Sequence, residues 1–230
     1  MADISDHIPL MGYEDISDRE MEERAANFYT LLTKRRTVRH FSDKPVPHSV
    51  IADAIKAAGT APSGANKQPW HFVAVSAADM KSKIRKAAEE EERAFYGGKA
   101  SERWLKDLEK FGTDADKPFL ETAPWLIVVF KELYEKSNDG KKHNNYYVSE
   151  SVGIATGFLI ASLHNAGLAT LTHTPSPMGF LREILGRPNN EKAEMLLVTG
   201  HPAADAVVPK LSKKPLEDIS TWFEKGHKKD

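Results

Sequence analysis

No uninterrupted apolar run in this chain is longer than the six residues from Trp125 to Phe130. A membrane-crossing helix needs ~20 such residues. Six is the length of one buried strand. Apolar residues must therefore be hidden by periodicity, with short strands and amphipathic helices packed on one another. The 230 residues suit a single domain, 1–230, large enough to bury its own core. There is no cysteine, which excludes disulfides, thiolate zinc sites, iron–sulfur clusters and a cysteine nucleophile. Its absence also fits a reducing compartment. A net charge of −1 provides no global attraction to nucleic acid or an anionic membrane. Met1 to Leu10 carries Asp3 and Asp6 and no apolar stretch, unlike a secretory signal. The expectation is a soluble cytoplasmic protein with no nucleic-acid or membrane partner.

The first helix is announced by a capping box, Ser17 with Glu20, and by a hydrophobic staple of Ile16 and Met21. Met21, Ala25, Phe28 and Leu32 continue it at helical spacing, and Lys34-Arg35-Arg36 closes it with cations that suit the dipole. A second helix carries Ile51, Ala54, Ile55 and Ala58 and stops at Gly59. After a loop, His71 to Val75 reads as a strand. Ser76 and Asp79 suggest the cap of a third helix bearing Met80, Ile84 and Ala87. That helix runs through Glu89 to Arg93 and breaks at Gly97-Gly98. Trp104, Leu105, Leu108 and Phe111 mark another short helix. Trp125–Phe130, Leu168–Thr174 and Met195–Thr199 read as strands, and Phe180–Leu185 as a short helix. Tyr147–Asn165 reads as a long helix so rich in Gly, Ala and Ser that it suits close packing on another helix, such as one across a dimer. Lys136–Asn145 reads as a polar loop. Helices first, then alternating helices and strands, predict an α+β layered domain with one sheet.

Most familiar catalytic patterns are missing. The nine histidines form no His-x-x-x-His pair and no repeated His–carboxylate cluster, so no metal site is expected. There is no glycine fingerprint for a Rossmann dinucleotide site, no phosphate-loop lysine and no nucleophile elbow. Two segments remain. Lys34-Arg35-Arg36-Thr37-Val38-Arg39 places cations and a hydroxyl just past a helix, a set that suits phosphate oxygens. Alone, it reads sooner as a solvated helix end. Pro62-Ser63-Gly64-Ala65-Asn66-Lys67-Gln68-Pro69-Trp70 puts small residues and amides before a strand, where a flat ligand can approach the backbone. Alone, it is equally an ordinary turn.

Together the two segments resemble the FMN site of the nitroreductase superfamily, whose pattern is Arg-Arg-Ser/Thr-x-Arg followed by Ala-Pro-Ser-Gly-x-x-x-x-Pro-Trp. Glu121-Thr-Ala-Pro124, Asn165-Ala-Gly-Leu168 and Leu185-Gly-Arg-Pro188 extend the resemblance. From about Glu22 to Asp218 the order and spacing are similar to the deiodinase branch of that superfamily. The resemblance implies an α+β nitroreductase-like sandwich, with a central mixed sheet flanked by helices, that dimerises intimately. FMN would lie between the two chains. Relative to animal members the chain has no membrane-anchoring N-terminus, which implies a soluble, bacterial-type form.

The resemblance also implies roles. Arg35, Arg36 and Thr37 match residues at the FMN phosphate, with Arg39 toward the pyrimidine side of the ring. Pro62, Ser63 and Gly64 match the loop contacts to the flavin. Lys213 matches a basic residue near the phosphate, more often Arg in the family. Thr172, His173 and Thr174 complete the cofactor set, although His173 is a threonine in the animal members and is assigned no separate task. Thr174 matches the hydroxyl that meets flavin N5, a contact that favours one-electron steps over hydride transfer. It is the one residue assigned to catalysis. Ala65, Glu92, Tyr96 and Lys117 match the substrate residues: Glu92 for an ammonium, Tyr96 and Lys117 for a carboxylate, and the Ala65 N–H for a phenolate. Glu92 and Tyr96 are four apart and share a helix face if the third helix reaches that far. By charge patterning alone, Glu89 to Glu92 is a solvated face.

The implied activity is reductive dehalogenation of halotyrosines, with an unidentified electron donor. The implied lid spans about 88–117, held open without substrate by repulsion among Glu89 to Glu92 and by the Gly97-Gly98 hinge. The competing readings are a generalist FMN nitro or quinone reductase, and a non-catalytic flavin or aromatic amino-acid binding protein.

Overall fold

The computed structural model describes residues 7–223, so the reading of Met1 to Asp6 lies outside the described residues. Its centre follows from the apolar run. Strand β2, Trp125–Glu132, carries Leu126, Ile127, Val128, Val129 and Phe130, none of them measurably exposed. Side chains alternate across a strand, so an unbroken apolar run requires both faces to be covered. Leu126, Val128 and Phe130 join one core with Ile84, Leu120, Leu171, Leu181, Leu196 and Val198. Ile127 and Val129 join a second core with Ile51, Ala54, Ala58, Val152, Leu159 and Leu163.

The sheet is ordered β1-β2-β6-β5, with β1 at Trp70–Val75, β5 at Ala169–His173 and β6 at Glu191–Gly200. These strands are antiparallel to their neighbours, and Ile127 faces Leu197 while Leu171 faces Val198. A single parallel bridge, Thr37 to Thr170, extends the β5 edge and makes the sheet mixed. One layer of helices comprises α2 (His48–Gly59) and α6 (Val148–Asn165). The opposite layer comprises α3 (Ala78–Ala94), the single turn α5 (Phe119–Thr122) and α7 (Gly179–Ile184). Helix α4, Glu102–Glu109, lies between α3 and α5 in the chain. The layered α+β expectation holds.

Helix α1, Asp18–Thr33, begins at the expected cap: the Glu20 N–H donates to Ser17 Oγ at 3.3 Å. It has no buried residue, and its C-terminal end is tied down by His164 Nε2, 2.9 Å from the Leu31 carbonyl oxygen.

Two local expectations are corrected, and one element is added. Neither Ser76 nor Asp79 caps α3, which starts from Ala77 without a side-chain cap. The segment Lys136–Asn145 is no plain loop. It makes most of a hairpin between β3 (Tyr134–Lys136) and β4 (Lys142–Asn144), turned by Gly140 at φ 80°. Its polar residues show no alternation because neither face is buried. The turn α5 has no periodicity to announce it. Buried Lys81 supports it, donating to the carbonyls of Glu121 at 2.7 Å and Ala123 at 2.8 Å.

Candidate active site

Strand order divides the expected site residues into two groups. Arg35, Arg36, Thr37 and Arg39 run beside β5, because the Val38 N–H donates to the Thr170 carbonyl at 3.2 Å next to the Thr37 bridge. Thr172 and His173 end β5, and Thr174 follows. The Arg36 guanidinium donates to the Pro209 carbonyl, which brings the exposed tail bearing Lys213 to this edge. Pro62, Ser63, Gly64 and Ala65 instead precede β1, at the opposite edge. Three strand spacings separate the edges, about 14 Å.

On the β5 side a cavity of about 240 Å³ gathers Arg39, Glu92, Tyr96, Lys117, Thr172, His173 and Thr174. These positions span most of the chain, and the predicted lid forms one wall. Helix α3 extends far enough for Glu92, and a single π turn, Phe95–Lys99, carries Tyr96. Gly98 at φ 134° then turns the chain back toward α4, a conformation that suits glycine alone. Phe95 packs edge-on against Tyr96 and Trp104, with ring centroids 5.2 and 5.0 Å apart.

Lys117 is almost fully buried. Its ammonium lies 3.3 Å from Glu92 Oε2 and 5.7 Å from the centroid of the Tyr96 ring. It donates to Thr113 Oγ1 at 3.1 Å and to the Asp114 carbonyl. Burial raises the Glu92 carboxyl above its ordinary range, while Lys117 opposes the rise. Burial likewise raises the Tyr96 phenol. The Arg39 guanidinium, lowered by burial, sits 5.7 Å from the centroid of the Phe111 ring. The expected repulsion among Glu89 to Glu92 is largely offset. Glu89 pairs with Arg85 at 2.7 Å, Glu91 with Lys99 at 3.8 Å and Glu92 with Lys117.

Alternation along β5 sorts its last residues. Thr172 and Thr174 are exposed, while His173 turns inward against Phe119 at 5.6 Å. His173 Nε2 has no hydrogen-bond partner, and burial, with Lys117 and Arg39 nearby, lowers the imidazole to about 3. It is neutral at physiological pH and cannot serve there as an acid. Thr174 also borders a larger, mainly apolar cavity of about 730 Å³, which the first cavity adjoins through Trp104, Thr174 and Ser176.

The other half of the set is a strained loop. Ala65, Asn66, Gln68 and Tyr147 are the non-glycine residues with positive φ among the described residues, all near 50°. The first three are in this loop, and Tyr147 packs on it. Such backbone persists only where its surroundings hold it. Ser63 Oγ accepts the Gln68 N–H at 2.8 Å, and Lys67 pairs with Glu135 of the hairpin at 3.0 Å. A Cβ on Gly64 would lie 2.9 Å from the Tyr147 ring and 3.1 Å from the Tyr146 carbonyl, so only glycine allows this approach.

Sequence reading missed Arg85, Glu89, Thr113, Phe111 and the Tyr146-Tyr147 support. Arg85 and Glu89 had one visible signal, an i,i+4 pair of opposite charge. Thr113 meets Lys117 only four residues on, in a stretch without periodicity, and the others are contacts between distant segments. Among the described residues no group of three or more His, Cys, Asp or Glu could hold a metal ion. No described helix is long and apolar enough to cross a membrane.

Residues 32–201 match the Nitroreductase family model: the chain belongs to the nitroreductase family. Within it, the chain is 53% identical over 207 residues to iodotyrosine deiodinase of Haliscomenobacter hydrossis, covering 90% of this chain and 93% of that protein. It is 48% identical over 215 residues to human iodotyrosine deiodinase 1, covering 93% and 74%. The crystal structure of oxidised iodotyrosine deiodinase bound to FMN and 3-iodo-L-tyrosine superposes with a TM-score of 0.73 at 31% identity, covering 86% of this chain and 99% of that one.

Proposed function

We propose that this protein is an FMN-dependent reductive dehalogenase that converts halotyrosines, with 3-iodotyrosine as the reference substrate, to tyrosine and halide. One observation carries the reading: the buried Glu92–Lys117 pair, with Tyr96 beside it, shares a cavity with Thr174. An amino-acid zwitterion is the ligand such a pair suits. Its ammonium replaces Lys117 at Glu92, and its carboxylate takes donors from Lys117 and the Tyr96 hydroxyl. Both protein charges stay compensated throughout.

The residues present fit FMN on two counts. Arg35, Arg36 and Thr37 lie on or beside one sheet edge, as a phosphate needs, with Lys213 four residues beyond the Pro209 that Arg36 holds, and the Ser63–Ala65 loop offers close backbone approach through Gly64. Bound FMN supplies the two electrons, delivered singly. The balance for the substrate is carbon–halogen bond plus two electrons plus one proton, giving a carbon–hydrogen bond and halide. Thr174 would offer its hydroxyl to the flavin ring of bound FMN, and Arg39 would place positive charge beside it. The Ala65 N–H holds the phenolate oxygen. The chain's main tasks are positioning and exclusion of water.

The two halves of the set sit on opposite sheet edges, so the reading includes a homodimer in which each flavin site takes one half from each chain. Helix α6 supports this. Gly153, Ile154, Gly157 and Phe158 form an open stripe, with nothing within 4 Å of a Cβ on either glycine. Helix α1 leaves Met21, Phe28 and Tyr29 uncovered, an apolar surface that a second copy would bury. A single domain with a lid at about 88–117, and a cytoplasmic setting consistent with the missing cysteine, complete the reading.

The test is anaerobic. Reduced holoprotein is mixed with 3-iodotyrosine while flavin absorbance and iodide are followed together. About one iodide per reoxidised flavin is expected. A flavin silent to iodotyrosine but promptly reoxidised by a nitroaromatic would make the protein a generalist reductase. Tight binding of both ligands without halide release would make it a binding protein.

A further inference from the structure

We propose that Arg85 is the positioning residue of the zwitterion clamp, one step removed from the substrate. Arg85, Glu89 and Glu92 lie at i, i+4 and i+7 on one face of α3. The Arg85 guanidinium meets three carboxylates, each at 2.7 Å: Nε with Glu89 Oε1, Nη2 with Asp116 Oδ1 and Nη1 with Glu121 Oε2. Glu89 Oε1 also accepts the backbone N–H of Lys117 at 2.8 Å. Lys117 is therefore held at its own N–H through Glu89, at the preceding residue through Asp116, and four residues on through Glu121. All three links converge on one guanidinium rooted seven residues before Glu92. This is what sets the Lys117 ammonium 3.3 Å from Glu92.

The alternative cations do not replace it. Arg93 reaches only Glu89, at 4.0 Å, and is mostly exposed. Lys81 reaches the Glu121 and Ala123 carbonyls rather than the carboxylates. Without Arg85, three carboxylates face one another where α3 meets the 116–121 segment, and repulsion drives Lys117 away from Glu92. A lysine at position 85 keeps the charge but loses the planar fork that serves three partners.

The inference rests on the reading that Glu92 and Lys117 hold the amino-acid group, and its test separates the two. Holoprotein variants R85K, R85Q and K117A, and R85K combined with K117A, are assayed anaerobically with 3-iodotyrosine and with 2-iodophenol, which lacks the ammonium and carboxylate. For R85K, KM for iodotyrosine should rise ~10-fold or more with kcat little changed, and iodophenol turnover should be unaffected. Residues acting through one another couple, so the double variant should lose little beyond K117A alone. An unchanged KM in R85K while K117A raises it overturns the role of Arg85 and leaves the zwitterion reading standing. Equal loss on both substrates makes Arg85 a merely structural residue, and also overturns the proposal. No effect of K117A removes the zwitterion reading and this inference with it. R85K keeps the test open if R85Q does not fold.

Discussion

The Lys117 ammonium lies 3.3 Å from the Glu92 carboxylate in one cavity, although α3 carries Glu92 and Lys117 stands in the loop before α5. A buried ion pair of this kind contributes little net stability, because desolvation of both charges offsets their attraction. Its value lies in being exchangeable for the two charges of a zwitterion.

Removing either partner should therefore act on substrate rather than on cofactor. Lys117→Ala or Glu92→Gln is expected to weaken 3-iodotyrosine binding by ~2–5 kcal/mol, the usual cost of stranding one member of a buried pair. FMN should remain bound. Titration of flavin fluorescence with iodotyrosine reads both quantities, and unchanged affinity in the two variants would sink the clamp.

Acid should weaken substrate binding earlier than an ordinary carboxylate would predict. Burial raises the Glu92 carboxyl, so it gains its proton at a higher pH than a free glutamate. Only the carboxylate can take the substrate ammonium. The dissociation constant should climb on acidification from above the usual carboxylate range, and Glu92→Gln should flatten that part of the profile.

His173 makes a prediction about stability. Its folded pKa is lowered to about 3, mainly by burial, whereas an unfolded histidine titrates near ~6.5. Between those values the unfolded chain binds the extra proton, so stability is full above ~6.5 and falls as pH drops toward about 3. His173→Phe removes the titrating group and the unpartnered Nε2 together. Melting temperature measured from pH 7 to 4 should fall less steeply in the variant, and parallel curves would refute the assignment.

Thr174→Ala should change the kind of chemistry more than its rate. Loss of the hydroxyl expected at N5 should lower the ratio of dehalogenation to nitro reduction. The ratio of iodide release to nitroaromatic turnover is the measurement, and an unaltered ratio would undo the one-electron argument.

Gly64→Ala probes the strained loop. Its Cβ would press on the Tyr147 ring and the Tyr146 carbonyl, and overpacking of this kind costs ~1–3 kcal/mol. FMN affinity should fall, because the loop that meets the flavin must shift. Retention of FMN at wild-type affinity would place the loop outside the cofactor site.

Much of this was legible in local sequence. Ser17 and Glu20 marked the start of α1, the six-residue run marked β2, and the four-residue spacing of Glu92 and Tyr96 marked a shared face. Those signals depend on residues within one or two turns of each other, where backbone periodicity alone decides direction. The hairpin at 134–144 and the turn α5 escaped because they bury too little for a pattern. The substrate set, Ala65, Glu92, Tyr96 and Lys117, was drawn from family resemblance, since by charge pattern alone the Glu89–Glu92 run was a solvated face.

By itself the sequence determined several elements: the Ser17 cap of α1, the buried stripe of α2, and a central strand that had to be covered on both sides. Only the tertiary structure decided that Lys117 faces Glu92, that three carboxylates converge on Arg85, and that the Ser63 loop and Thr174 occupy opposite edges of the sheet. The physical reason is that strand order and layer packing set distances between remote segments. Those distances depend on how the two cores close around β2, a property no short window of residues contains.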